Sequence, residues 1–297
     1  MLLNFQTEAP GETAFAQKGG DLSDCKRLKI LQNIYYEVIY LSEKTVLTEL
    51  NDGVLIVTIN RNERRNALDP ATSALMEDIL NDAEKNPEVR VIVLTGAGER
   101  SFCAGEDLAA FGETGECQTV MAHGFGGMTS RVSTKPIICA ANGTAVAGGL
   151  EIALACDLIV AADHARFGLS EVKVGLLATT GGLIRLSRDI PRKIAMELCL
   201  TGTLINAEHA REIGLVNYVV PKEQVMEKAL ELAHTIANNA PISLRLTKEI
   251  FHIAPQVSLE DAQRFCDRCW DYIEKTEDAM EGPKAFLEKR KPEWKGR

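Results

Sequence analysis

The sequence predicts an α/β fold closed by a helical C-terminal third. Three observations carry that prediction. Aliphatic, largely β-branched runs at 54–59, 89–96, 136–141 and 157–162 read as buried strands. Small-residue turns and helical stretches alternate with them, which is the logic of α/β layers. After Thr180 the spacing of apolar residues is helical throughout.

Residues 1–44 read as an N-terminal extension. The first twenty are poor in apolar residues, whereas Leu28, Leu31, Tyr35 and Val38 are spaced for one helix face. The body opens on a hairpin, with runs at 46–50 and 54–59 flanking the turn Asn51-Asp52-Gly53. A loop at 60–68 follows. Asp69-Pro70 then starts a helix as N-cap and first-turn proline, with Leu75, Ile79 and Ala83 as its apolar face. The strand at 89–96 leads into a loop to Gly105 and a helical stretch to about Ser130. The strand at 136–141 leads through the Gly148-Gly149 turn into a short apolar helix, and 157–162 is the next strand.

Helices are expected at 191–200, after an Asn206 cap and ending at Gly214, and at 221–239, 242–253, 258–275 and 277–290. Ser258 to Asp261 resembles a capping box. The expected division is an α/β core over 45–200 carrying the site, and a helical region over 201–297.

The chain has 297 residues, 45% of them hydrophobic but only 5% aromatic, so the core is aliphatic. The net charge of −9 lacks the basic stripe of a nucleic-acid binder. Lys284, Lys289, Arg290, Lys291 and Lys295 form the one dense basic cluster. No apolar run reaches the length of a membrane span. Acids at Glu8, Glu12 and Asp21 argue against a secretory or transit leader, so a cytoplasmic protein is expected.

Cys139 and Cys156 sit in apolar runs. Cys266 and Cys269 are spaced as one pair without a second, and read as ordinary helical thiols. The five histidines show no ligand spacing, so no metal is expected. Gly148-Gly149 lacks the Lys-Ser/Thr of a P-loop, and there is no Gly-x-Gly-x-x-Gly, Gly-x-Ser-x-Gly or His-Glu-x-x-His. Nicotinamide cofactors, serine hydrolysis and zinc proteolysis therefore have no support.

Two glutamates stand out. Glu151 lies in Leu150-Glu151-Ile152-Ala153-Leu154-Ala155, where a carboxylate needs pairing, hydrogen bonds or a proton. Glu171 lies on a turn soon after, in Phe167-Gly168-Leu169-Ser170-Glu171. If both line one pocket, they titrate as a coupled acid and base. Two small-residue turns, Phe102 to Asp107 and Gly148-Gly149, each follow a buried strand. Side by side they would give one N–H each to a single oxyanion.

The chain from about residue 46 onward resembles the crotonase superfamily, the enoyl-CoA hydratase/isomerase family. The resemblance rests on Arg65-Asn66-Ala67-Leu68, on Ser101 to Leu108, and on Gly148-Gly149-Leu150-Glu151. It continues in Phe167 to Glu171, Gly181-Gly182-Leu183-Ile184-Arg185-Leu186 and Glu281-Gly282-Pro283-Lys284-Ala285-Phe286. It implies a crotonase-like spiral of ββα units with a helical C-terminal trimerisation region, assembled as a homotrimer or a hexamer of paired trimers. It implies an acyl-CoA substrate and no separate cofactor.

The N–H groups of Ala104 and Gly148 would form the oxyanion hole. Ala67, Leu68, Ala104, Gly105 and Asp107 would lie along the CoA, Thr179 beside the acyl group, and Phe286 and Lys289 at the CoA from the C-terminal end. Glu151 and Glu171 would hold one water, with Glu151 as base and Glu171 as acid or the roles shared. The implied reaction is hydration of a 2-enoyl-CoA. The alternatives are a 3-hydroxyacyl-CoA dehydratase, a Δ3–Δ2 isomerase, which often manages with one carboxylate, and a non-catalytic RNA-associated member. The turn Ala178-Thr179-Thr180-Gly181-Gly182 departs from the family's Pro-Gly-Ala/Ser-Gly-Gly form.

Overall fold

A computed structural model describes residues 44–109, 112 and 119–297, so the helix expected within 28–41 lies outside the described residues. The strands are β1 (Val46–Asn51), β2 (Val54–Ile59), β3 (Val91–Gly96), β4 (Ser101–Cys103), β5 (Val120–Met121), β6 (Gly124–Phe125), β7 (Ile137–Ala141), β8 (Thr144–Val146), β9 (Leu158–Ala162), β10 (Arg166–Gly168), β11 (Ile205–Asn206) and β12 (Tyr218–Val220). The helices are α1 (Pro70–Lys85), α2 (Gly148–Ala155), α3 (Gly182–Asp189), α4 (Arg192–Thr201), α5 (Ala207–Glu212), α6 (Val225–Ala237), α7 (Pro241–Ile253), α8 (Leu259–Ile273) and α9 (Glu277–Leu287).

Two sheets organise the body. The larger runs β1-β2-β3-β7-β9-β12 and the smaller β11-β10-β8-β4. The chain lays one strand in each sheet in turn: β3 then β4, β7 then β8, β9 then β10. The resulting neighbours within each sheet pair in parallel. α2 starts one residue after β8, while a longer segment with a 3₁₀ turn at Glu171–Val174 joins β10 to α3. The candidate site lies at the ends of β4 and β8 and on that segment.

Every residue of β3 and β7 is buried, which is why their runs carry no polar alternation. α6 lies against β3, β7 and β9, where buried Ala229 and Ala233 permit close approach.

Three sequence expectations are corrected. The chain after Thr180 is not helical throughout, because β11 pairs with β10 and β12 with β9, each too short to carry a period of its own. The buried face of α1 is Thr72, Ser73, Met76, Glu77, Leu80 and Ala83, while Leu75 is exposed. Asp69 accepts the Thr72 N–H and Pro70 fixes the first turn, and that start sets a face one residue later than the spacing of Leu75 and Ile79 suggested. The stretch before Ser130 is also not a continuing helix, because β5 and β6 pair there as a hairpin. Gly124, Gly126 and Gly127 all take positive φ, which a right-handed helix does not allow.

The C-terminal helices match expectation. Ser258 Oγ accepts the Asp261 N–H and Thr276 caps α9. Cys269 is buried in α8 beside Ile242 and Leu246 of α7. Among the described residues no helix is long and apolar enough to cross a membrane, and no group of three His, Cys, Asp or Glu side chains is placed to hold a metal.

Candidate active site

The site forms where β4 and β8 end. Gly149 passes so close to β4 that a Cβ there would stand 2.0 Å from the Cys103 carbonyl oxygen. A Cβ on Gly105 would stand 3.0 Å from the Gly148 nitrogen. The two small-residue turns therefore lie against each other, as their placement after buried strands suggested. Cys103 beneath them is fully buried, and burial pushes its thiol up to about 12, so it supplies no thiolate near neutral pH.

Ala147 sets the direction of the Gly148 N–H. Its carbonyl accepts the N–H groups of Leu150 and Glu151, inside the first turn of α2. A trans peptide points its N–H opposite to its carbonyl, so the Gly148 N–H faces out of the helix end. It has no acceptor among the described residues. The geometry holds Ala147 at φ 52°, ψ −130°, a region that costs a non-glycine residue about 1–3 kcal/mol. The Ala104 N–H is placed differently: it donates to the Arg65 carbonyl at 3.1 Å.

The loop at 65–69 docks on the 104–107 turn. The Leu68 N–H donates to the Gly105 carbonyl and the Asp107 N–H to the Leu68 carbonyl, each at 2.8 Å. Arg61 fastens both loops, donating to the Ala67 carbonyl and pairing with Asp69 at 2.8 Å and Asp107 at 3.1 Å. Arg65 and Asn66 both take left-handed φ, and the buried Asn66 amide donates to the carbonyls of Ala97 and Ser101. Ala67, Leu68, Ala104, Gly105 and Asp107 are thus brought together. Phe286 lies on the last turn of α9, 82% exposed, and Lys289 just beyond it.

Glu151 is buried in the first turn of α2, with both oxygens occupied by one turn of chain. Oε1 accepts the Gly182 N–H at 2.8 Å, and Oε2 accepts the Thr180 hydroxyl. A Cβ on Gly182 would stand 2.8 Å from the Glu151 Cγ, so this approach needs glycine. Arg185 of α3 lies within reach of the Glu151 charge and donates to the Thr129 carbonyl at 2.6 Å.

Glu171 opens a 3₁₀ turn, Glu171–Val174, and is half-buried. Its Oε2 is buried and has no hydrogen-bond partner among the described residues. Burial pushes its carboxyl above the ordinary range; its own backbone N–H opposes this, and the charge of Glu151 adds to it. The two glutamates therefore lie near enough for their charges to interact, under different conditions. One carboxylate is satisfied by the protein, and the other has an oxygen free for a ligand or water.

Thr179 is exposed, and its N–H donates to the Leu177 carbonyl. Its neighbour Thr180 touches Glu151, a role the sequence reading missed although the turn was conspicuous. Arg61 and Asn66 were also missed. The signal for Arg61 was a cation preceding two carboxylates, one of them 46 residues away.

Comparison with known proteins gives consistent relatives. Residues 49–297 match the model of the enoyl-CoA hydratase/isomerase family. An (E)-benzylidenesuccinyl-CoA hydratase from Thauera aromatica is 42% identical over 253 residues, covering 84% of this chain and 99% of that protein. A carnitinyl-CoA dehydratase from Escherichia coli K12 is 40% identical over 264 residues, covering 86% and 100%. Among solved structures, an enoyl-CoA hydratase from Mycobacterium tuberculosis H37Rv superposes with a TM-score of 0.82 at 41% identity, covering 86% of this chain and all of that one.

Proposed function

The chain belongs to the enoyl-CoA hydratase/isomerase family and has its crotonase fold, and from that premise we propose that it reversibly adds water across the double bond of a 2-enoyl-CoA. The observation that supports this reading best is the pair of unlike carboxylates: Glu151 satisfied on both oxygens, Glu171 with a buried oxygen unpartnered.

The thioester oxygen accepts the outward Gly148 N–H and the Ala104 N–H. The latter is shared with the Arg65 carbonyl as a three-centre bond. A water sits between the two carboxyl groups. Glu151 takes its proton as the oxygen bonds to the β-carbon, and the C=C electrons move onto the thioester oxygen. Protonated Glu171 then delivers its proton to the α-carbon, which restores the carbonyl and leaves 3-hydroxyacyl-CoA. Burial suits Glu171 to the acid role, because it favours the protonated form. The reaction needs no cofactor of its own, since coenzyme A is part of the substrate.

Run backwards, the same groups dehydrate a 3-hydroxyacyl-CoA, the direction carried in the name of the carnitinyl-CoA relative. The proposal extends to a homotrimer or a pair of trimers, with the core at 45–200 and the region 201–297 as its contact surface. Phe251, Leu259, Trp270 and Met280 are each at least 66% exposed on these helices in the single chain. Phe286 and Lys289 would meet CoA across that surface.

The test offers crotonyl-CoA and longer, branched or carboxylated enoyl-CoAs and follows loss of enoyl absorbance. Glu151→Gln and Glu171→Gln are each expected to lower kcat by about 10²–10⁴, the usual loss of a general acid or base. Wild-type rates in both variants would refute the mechanism.

A further inference from the structure

The turn that carries Thr180 differs from the family form and lies against the pocket at its most chemical point. The Thr180 hydroxyl donates to Glu151 Oε2 while the Gly182 N–H donates to Oε1. Two donors from one turn thus fix the rotation of the carboxylate, and they leave its remaining lone pairs to face the pocket. Gly182 cannot take up this work alone, because a backbone N–H reaches only one oxygen. Arg185 makes no hydrogen bond to Glu151 among the described residues and donates instead to the Thr129 carbonyl.

We propose that Thr180 is a positioning residue that holds the Glu151 carboxylate oriented as the base, and thereby leaves the acid role to Glu171. The inference rests on the hydratase reading above. A hydroxyl donating to a carboxylate stabilises its charged form and not its neutral form. Glu171 has no such donor on Oε2. The asymmetry between the two carboxyl groups therefore follows from which one the 180–182 turn touches. The charged groups whose fields reach Glu151 are Glu171 and Arg185 of α3.

The experiment compares wild type, Thr180→Val and Thr180→Ser. Valine keeps the shape and β-branching of threonine but cannot donate. In the hydration direction Thr180→Val is expected to lower kcat at neutral pH about tenfold or more, with KM for enoyl-CoA little changed. Thr180→Ser, which keeps the donor, is expected to restore kcat. A structural role alone would not be rescued through the hydroxyl.

A second readout does not depend on turnover. In a crystal structure of Thr180→Val the Glu151 carboxylate is expected to rotate from its wild-type orientation, and in Thr180→Ser to keep it. An unmoved carboxylate, or wild-type kcat in Thr180→Val, overturns the proposal. A rotated carboxylate in a protein that hydrates no enoyl-CoA sustains the positioning role and overturns the hydratase reading instead.

Discussion

Gly149→Ala tests whether the close fit of the 103–105 and 147–149 turns, on which the proposed oxyanion hole depends, matters to turnover. The new Cβ would stand 2.0 Å from the Cys103 carbonyl oxygen and 2.6 Å from its carbon. Ordinary contact begins at 3.4 Å, so the helix and strand must part by about 1.4 Å. Both obstructing atoms are backbone, and no side chain can swing aside. β4 is held by its pairing with β8 at Cys103 and Ala145, and α2 by the bonds from Leu150 and Glu151 to the Ala147 carbonyl. Overpacking of this kind costs about 1–3 kcal/mol, and a change of 1 kcal/mol lowers Tm by roughly 2–4 °C at this size.

The larger effect falls on rate. Parting the turns separates the Ala104 and Gly148 N–H groups by about 1 Å, and such a misplacement costs about 10² in kcat. The assay is crotonyl-CoA hydration beside a thermal melt, with Gly214→Ala as the control. Gly214 has φ +84° and no neighbour within 4 Å of a built Cβ, so its substitution strains the backbone away from the site. Gly214→Ala is expected to lose comparable stability and keep its rate. Wild-type kcat in Gly149→Ala, or an equal rate loss in Gly214→Ala, would refute the reasoning.

Two further outcomes follow from the same structure. Arg61→Ala removes the guanidinium shared by Asp69, Asp107 and the Ala67 carbonyl, leaving two part-buried carboxylates uncompensated. It is expected to destabilise by about 3 kcal/mol and to raise KM for acyl-CoA more than it lowers kcat, read by chemical denaturation and steady-state kinetics. Glu171→Gln is expected to raise Tm while lowering kcat by about 10²–10⁴. The Glu171 carboxyl lies above its ordinary value when folded, so the stability it contributes is present at low pH and lost as pH rises through that raised value. Glutamine cannot ionise, so thermal melts of variant and wild type should converge near pH 4 and separate by a few degrees at pH 8, with the variant higher.

The parts of this molecule legible in its sequence are those where one local pattern decides the outcome. Residues 91–96 and 137–141 could only be buried strands, because nothing polar interrupts them long enough to face water. Glu151 announced itself as a carboxylate among Leu, Ile and Ala. β8, β10, β11 and β12 were not legible, because strands of two or three residues carry no period and exist only through their neighbours. Contacts between distant residues were equally hidden. Thr180 meets Glu151 across 29 residues and Arg61 meets Asp107 across 46, and neither spacing has a local signature. The hairpin before Ser130 was missed because glycines in a helical-looking stretch do not declare the sign of φ.

The site also explains why its most informative residues are the ones that local rules would reject. Ala147 occupies a backbone region suited to glycine, Glu151 is a carboxylate in an apolar helix, and Glu171 buries an oxygen with nothing to bond it. Each would be removed by selection for stability alone, and each is held by a different neighbour: the Gly168 carbonyl accepting the Ala147 N–H, the 180–182 turn on Glu151, and the packing around the 3₁₀ turn for Glu171. Strain at Ala147 turns one N–H outward, satisfaction of Glu151 fixes one carboxylate, and the Glu171 oxygen, without a partner among the described residues, is left able to accept a bond from water or a ligand. A mutation that relieves any one of them is therefore expected to trade rate for stability. The sharpest instance is Glu171→Gln, where the stability gained above neutral pH and the turnover lost arise from the same buried oxygen.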